Sequence, residues 1–164
     1  RARSETSEVA SAELIRRERD ARDVGRSGAL APVDEHGGCV DASVLVDALV
    51  GADSADVHVV LGDRALLAPA HVDAEVLSAL RGLTLGKHLS RRRCRDALLD
   101  LEALPLDRWP LSPVLLGRAF DLADSVTSYD ALYVALAEVA DVPLVTRDAK
   151  LARAARRRVK VELV

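Results

Sequence analysis

Aromatic residues are scarce in this chain: one Trp, two Tyr and one Phe among 164 residues. The core must therefore be aliphatic, and a stacking platform for single-stranded bases finds too few rings. Cysteine is equally sparse. Cys39 and Cys94 form no C-x-x-C pair, which leaves zinc and dithiol readings weak; two reduced, buried thiols are expected. No apolar run reaches bilayer-spanning length and no signal-peptide pattern opens the chain. No membrane partner is expected, and a cytoplasmic location is. Methionine is missing altogether, so residue 1 is not an ordinary initiator, and a truncated, processed or renumbered chain is expected. There is no G-x-x-x-x-G-K-[ST] loop and no G-x-G-x-x-G after a strand, so nucleotide-binding readings lack support. No Cys–His or Ser–His constellation stands out for nucleophilic catalysis. His36, His58, His71 and His88 are not at metal-ligand spacing, and a structural role is expected for His71.

What is present is globular. The hydrophobic fraction is 49% and the charged fraction 30%, enough apolar surface to offset ordering entropy. The length fits one domain with an accessory segment. The net charge is -3, from 23 basic and 26 acidic residues, but the basic ones cluster. Arg91, Arg92, Arg93 and Arg95 form one group; Arg153, Arg156, Arg157, Arg158 and Lys160 form another. Each group is either a solvated helix face or a contact for a polyanion or acidic partner.

Residues 1–24 are polar, rich in Arg and Glu, and read as a helical or disordered leader. Residues 25–38 contain Gly28, Pro32, Gly37 and Gly38 and read as a linker. A domain is expected over 39–164. Within it, Cys39-Val40 ends a strand and Asp41 opens an apolar helix through Val50. Leu66 to Ala68 is a strand stopped by Pro69. Val72, Val76, Leu77, Leu80 and Leu83 recur at helical spacing, and a basic helix follows. Leu104 to Trp109 is a Pro-bounded strand candidate. Ser112-Pro113 starts a helix to about Ala123; Ser128 caps another from Tyr129 to Ala140. Leu144 to Thr146 is a strand, Ala149 to Ala155 a helix, and Val159 to Leu163 a terminal strand. Such alternation implies an α/β domain with a mostly parallel sheet.

Ligands in such sheets bind beyond the carboxyl ends of the strands, and four acids are placed there. Asp41 follows the first strand, Glu75 lies one turn into the helix after the second, and Asp148 follows the strand at Leu144. Asp130 begins the helix that must descend to that strand. Each has an ordinary explanation as a helix cap or a dipole partner, except that Glu75 sits beside a buried stripe, where an unpaired carboxylate is costly. Together they repel unless a cation joins them. Oxygen ligands suit Mg²⁺ or Mn²⁺, which can activate water and stabilise charge on a phosphate.

V-D-A-S at Val40 to Ser43, H-V-D-A-E-V at His71 to Val76, S-Y-D-A-L-Y-V-A-L-A at Ser128 to Ala137 and P-L-V-T-R-D at Pro143 to Asp148 stand in an order that resembles PIN-domain toxins of the VapC type, especially those of actinobacteria. The resemblance covers roughly Cys39 to Val164. It implies a Rossmann-like three-layer α/β/α sandwich and a metal-dependent endoribonuclease acting on tRNA or ribosomal RNA. Its acidic site maps onto Asp41, Glu75, Asp130 and Asp148, with Ser43 and Thr146 as supporting hydroxyls. A homodimer and inhibition by a cognate antitoxin are also implied. Such toxins normally begin near the first strand, so the leader is a departure. It looks somewhat like a piece of an antitoxin, and Arg1 or Arg3 would suit the acidic site by charge. A nucleophilic-Asp phosphatase is a rival, although its second Asp would fall at Ser43. A non-catalytic module binding a partner helix along Arg91 to Arg95 is another.

Overall fold

Short buried strands alternate with helices that carry apolar stripes, and this pattern sets the architecture of the computed structural model, which describes residues 37–51, 61–62 and 64–164. In chain order the elements are β1 (Gly38–Val40), α1 (Ala42–Val50), β2 (Leu66–Pro69), α2 (Val72–Leu85), α3 (Arg91–Ala103), β3 (Leu106–Trp109), α4 (Pro113–Phe120), α5 (Ser128–Ala140), β4 (Leu144–Thr146), α6 (Ala149–Ala155) and β5 (Val161–Leu163). The strands form one sheet in the order β3-β2-β1-β4-β5. Every pairing is parallel. The α/β expectation holds.

Two parallel connections run outward from β1 through β2 to β3, then the chain crosses back to β4. This reversal puts a topological switch point between β1 and β4. Right-handed crossovers then assign α1, α2 and α3 to one face and α4, α5 and α6 to the other. Helices α1, α2 and α3 pack on one another, as do α4 and α5, while α5 lies on β1, β2 and β4. The result is a three-layer α/β/α sandwich.

The core is aliphatic, with Val40, Leu45, Leu67, Val76, Leu80, Leu136 and Leu144 among its buried members. Each such side chain contributes about 1.5–3 kcal/mol when fully removed from water. Helix α5 is buried from Ala131 to Ala137, as a helix pressed between a sheet and a neighbouring helix must be. Gly38 packs closely: a Cβ there would stand 3.1 Å from Cγ2 of Val145, so that side chain would have to give by a few tenths of an ångström.

Several local expectations shift. β1 begins at Gly38, so the last residue assigned to the linker belongs to the sheet. Pro69 closes β2 within the ladder, opposite Trp109, where a strand end tolerates a missing N–H. Leu104 caps α3, so β3 starts at Leu106. α4 stops at Phe120, and turns replace the expected run to Ala123. Thr127, not Ser128, caps α5: its backbone is extended and its hydroxyl accepts from the Asp130 N–H at 3.2 Å. Leu77 is exposed, since the buried stripe of α2 follows Val72, Val76 and Leu80. Of the thiols, Cys39 is buried and Cys94 only half-buried. The leader and most of the linker, including Arg1 and Arg3, lie outside the described residues. Among those described, no helix is long and apolar enough to cross a membrane.

Candidate active site

The site grows from the switch point. β1 ends at Val40, and Asp41 turns the chain into α1 in extended conformation, with φ -87° and ψ 167°. Its carboxylate caps the helix. Oδ1 accepts the Ser43 N–H at 2.8 Å, the Val44 N–H at 3.3 Å and the Ser43 hydroxyl at 2.5 Å. Oδ2 accepts the hydroxyl of Thr146 from the end of β4. Asp41 is only 5% exposed and Thr146 fully buried. Burial pushes the Asp41 carboxyl above its ordinary value, and the hydrogen bonds from Ser43, Thr146 and the backbone pull against that shift.

Asp148 is tied to the same centre. Its N–H donates to Thr146 Oγ1 at 2.9 Å, while its own Oδ1 caps α6 through Lys150 and Leu151. Ser43 Oγ also accepts the Arg147 N–H at 3.0 Å, and the Arg147 guanidinium pairs with Asp47. The loop after β4 is thus latched to the first turns of α1.

Glu75 occupies the first turn of α2, half-buried. Its Oε2 accepts the hydroxyl of Tyr133 and lies 3.3 Å from Nε2 of His71. Burial lifts the Glu75 carboxyl, but the contacts with His71 and Tyr133 outweigh it, and the net position is below the ordinary value. Tyr133 feels the charges of both Glu75 and Asp41, which links the two halves of the rim. Asp130 stands one turn before Tyr133 on α5, and its Oδ2 accepts the Thr127 hydroxyl at 2.8 Å.

Asp41 and Asp148 thus follow the ends of β1 and β4, Glu75 lies in the first turn of α2 and Asp130 in the first turn of α5, and each carboxylate is held by its own donors. Among the described residues no three of His, Cys, Asp and Glu are grouped closely enough to hold a metal ion. Like charges repel, and carboxylates held on separate donors are the arrangement that repulsion favours. The donor set itself fits a hard divalent cation: every candidate atom is a carboxylate oxygen, and no hydrogen bond among the described residues reaches Oε1 of Glu75. Oxygen donors of this kind suit a hard cation rather than a soft one.

Sequence reasoning passed over Tyr133, and it gave His71 a structural place without its contact to Glu75. The signal for Tyr133 was its spacing of three from Asp130, which puts both on one helix face. In the arginine cluster, Arg93 is half-buried; it bonds the Leu49 carbonyl and Asp100. Arg91, Arg92 and Arg95 are exposed. Arg91 and Arg95 join Arg81, Thr84, Leu85 and Cys94 around a groove of about 300 Å³.

Residues 38–157 match the family model described as PIN domain. Ribonuclease VapC1 of Mycobacterium tuberculosis is 44% identical over 117 residues, 70% of this chain and 88% of its own. Ribonuclease VapC12 of the same organism is 36% identical over 126 residues, 76% of this chain and 97% of its own. The crystal structure of PAE2754 from Pyrobaculum aerophilum has a TM-score of 0.62 at 20% identity, covering 80% of this chain and 88% of that one. That last likeness is one of fold.

Proposed function

This chain belongs to the PIN-domain family, among relatives of the VapC type, and from that premise we propose that it is an endoribonuclease toxin held in check by an antitoxin. It hydrolyses phosphodiester bonds of RNA, with tRNA or ribosomal RNA as substrate. The observation that carries this reading is Asp41, a carboxylate 5% exposed at the switch point, held on both oxygens by Ser43 and Thr146. The cap of α1 needs only one of these oxygens; a buried carboxylate held on both, with its titration displaced by burial, marks a candidate for chemistry.

Asp41, Glu75, Asp130 and Asp148 would hold Mg²⁺ or Mn²⁺. When bound, the cation supplies a more acidic water and neutralises charge at the phosphate. Ser43 and Thr146 keep the Asp41 oxygens in fixed directions, and Asp148 follows through its N–H bond to Thr146. The exposed Arg91, Arg92 and Arg95 meet RNA phosphates. Exposed Leu116 and Phe120, one turn apart on α4, are the surface for a second copy in a homodimer. The site of action is the bacterial cytoplasm. Residues 1–24, with Arg1 and Arg3, are an inhibitory antitoxin-like arm; deletion of residues 1–28 is expected to raise cleavage, and unchanged cleavage removes that role.

The test is direct. Purified protein should cut RNA with Mn²⁺ or Mg²⁺, stop with EDTA, and lose nearly all activity on Asp41→Asn with the fold intact. Normal cleavage by the folded variant defeats the assignment. Phosphate release from small esters would favour a phosphatase, and neither activity would favour a binding module.

A further inference from the structure

Two side chains converge on one oxygen of Glu75. Tyr133, 2% exposed, donates its hydroxyl to Oε2. His71, the residue that opens α2 one turn earlier, brings Nε2 to 3.3 Å from the same atom. The His71 side chain is 9% exposed. Its ring lies 5.0 Å from the Tyr133 ring and 5.7 Å from that of Tyr129, centroid to centroid. Among the described residues neither imidazole nitrogen makes an aligned hydrogen bond, so packing and the approach to Glu75 fix this ring.

A buried tyrosine needs an acceptor for its hydroxyl, and that need alone would explain one contact. It does not explain why a second polar group, otherwise unsatisfied, is packed against the same oxygen while Oε1 is left untouched. Glu is a long side chain with several rotamers, and a ligand that wanders is a poor one. Partners behind a liganding group fix its direction.

We propose that Tyr133 and His71 are positioning residues that anchor Glu75 through Oε2 and leave Oε1 for a divalent cation. The inference rests on the nuclease reading above. Because Tyr133 lies on α5 three residues after Asp130, the same helix sets the anchor and a further candidate ligand.

Mn²⁺ binding to the full chain, followed by the electron paramagnetic resonance of free Mn²⁺, tests this apart from turnover. Tyr133→Phe and His71→Phe keep the rings and delete the polar atoms, with Glu75→Gln as reference. Each should raise the Mn²⁺ dissociation constant about tenfold or more. At limiting Mn²⁺, kcat should fall while KM for RNA holds, and saturating Mn²⁺ should restore kcat. Wild-type affinity in either folded variant overturns the anchoring, and so does affinity lost only together with the fold in both. If the unaltered protein binds no Mn²⁺, the cation reading itself fails and the anchor with it.

Discussion

The hydroxyl of Thr146 donates to Oδ2 of Asp41 across 105 positions of sequence and accepts the N–H of Asp148 at 2.9 Å. One buried oxygen therefore joins two acids from neighbouring parallel strands. Thr146→Val keeps the shape and removes both bonds. It should cost roughly 1–3 kcal/mol, the range for leaving buried polar partners unsatisfied, and it should lower cleavage as Asp41 loses its orientation. Thr146→Ser should retain most of both. Denaturant midpoints and RNA cleavage by the two variants check this, and a fully active Thr146→Val variant would refute it.

Asp41 and Glu75 should tilt stability in opposite directions with pH. Burial raises the Asp41 carboxyl above its ordinary value, so between the unfolded and folded values the folded state holds more protons. Stability then falls as pH rises through that window. Glu75 is depressed overall, so its contribution is present above the unfolded value and lost as pH falls through the folded one. Asp41→Asn keeps a capping oxygen and deletes the buried charge. In EDTA above the window it should be more stable than the parent by about 0.5–2 kcal/mol. Glu75→Gln should lessen the loss on the acid side. Thermal melts across a pH series read both, and a parallel shift at every pH would contradict the Asp41 assignment.

The order of strands and helices was legible because each core element carries its own period: the stripe of Val72, Val76 and Leu80, or the runs at β2 and β4. The edge placement of Asp41 and Asp148 followed from topology alone, since each comes directly after a parallel strand. What sequence could not supply was side-chain geometry. Thr127 and Ser128 are both competent caps, and only backbone conformation selects Thr127. The bond from Tyr133 to Glu75 joins helices α5 and α2 across 58 positions, with no local pattern to announce it. Arg93 resembles its neighbours in sequence, but its place on α3 faces the end of α1.

Arg91 and Arg95 should behave differently from Arg93. The first two are exposed around the groove at the far end of α2 from Glu75, about 15 Å along the helix at its usual rise. A phosphate contact there would lie beyond the cleaved bond and carry no sequence information. Arg91→Ala and Arg95→Ala should each reduce the slope of log affinity against log salt by about 0.7–0.9, with stability unchanged. Arg93→Ala should lower stability, because its guanidinium bonds the Leu49 carbonyl. Equal salt slopes in all three variants and the parent would remove RNA from this surface.

Phe120 is the only phenylalanine in the chain, and it is 80% exposed. Leu116 lies one turn earlier and is 46% exposed, so the two share a face of α4. The adjacent face of that helix, about 100° round, is buried through Leu115 and Ala119. A large ring held in water on an ordered helix forgoes burial that would contribute about 1.5–3 kcal/mol, and a symmetric pairing counts the gain from each copy. Phe120→Asp adds a charge where two copies would meet and leaves the monomer core untouched. Its expected effect is a rise of at least about tenfold in the dimer dissociation constant, equivalent to 1.4 kcal/mol, with an unchanged melting profile at concentrations where the parent is monomeric. Sedimentation equilibrium of parent and variant measures this; identical self-association would assign the face to something other than a second copy.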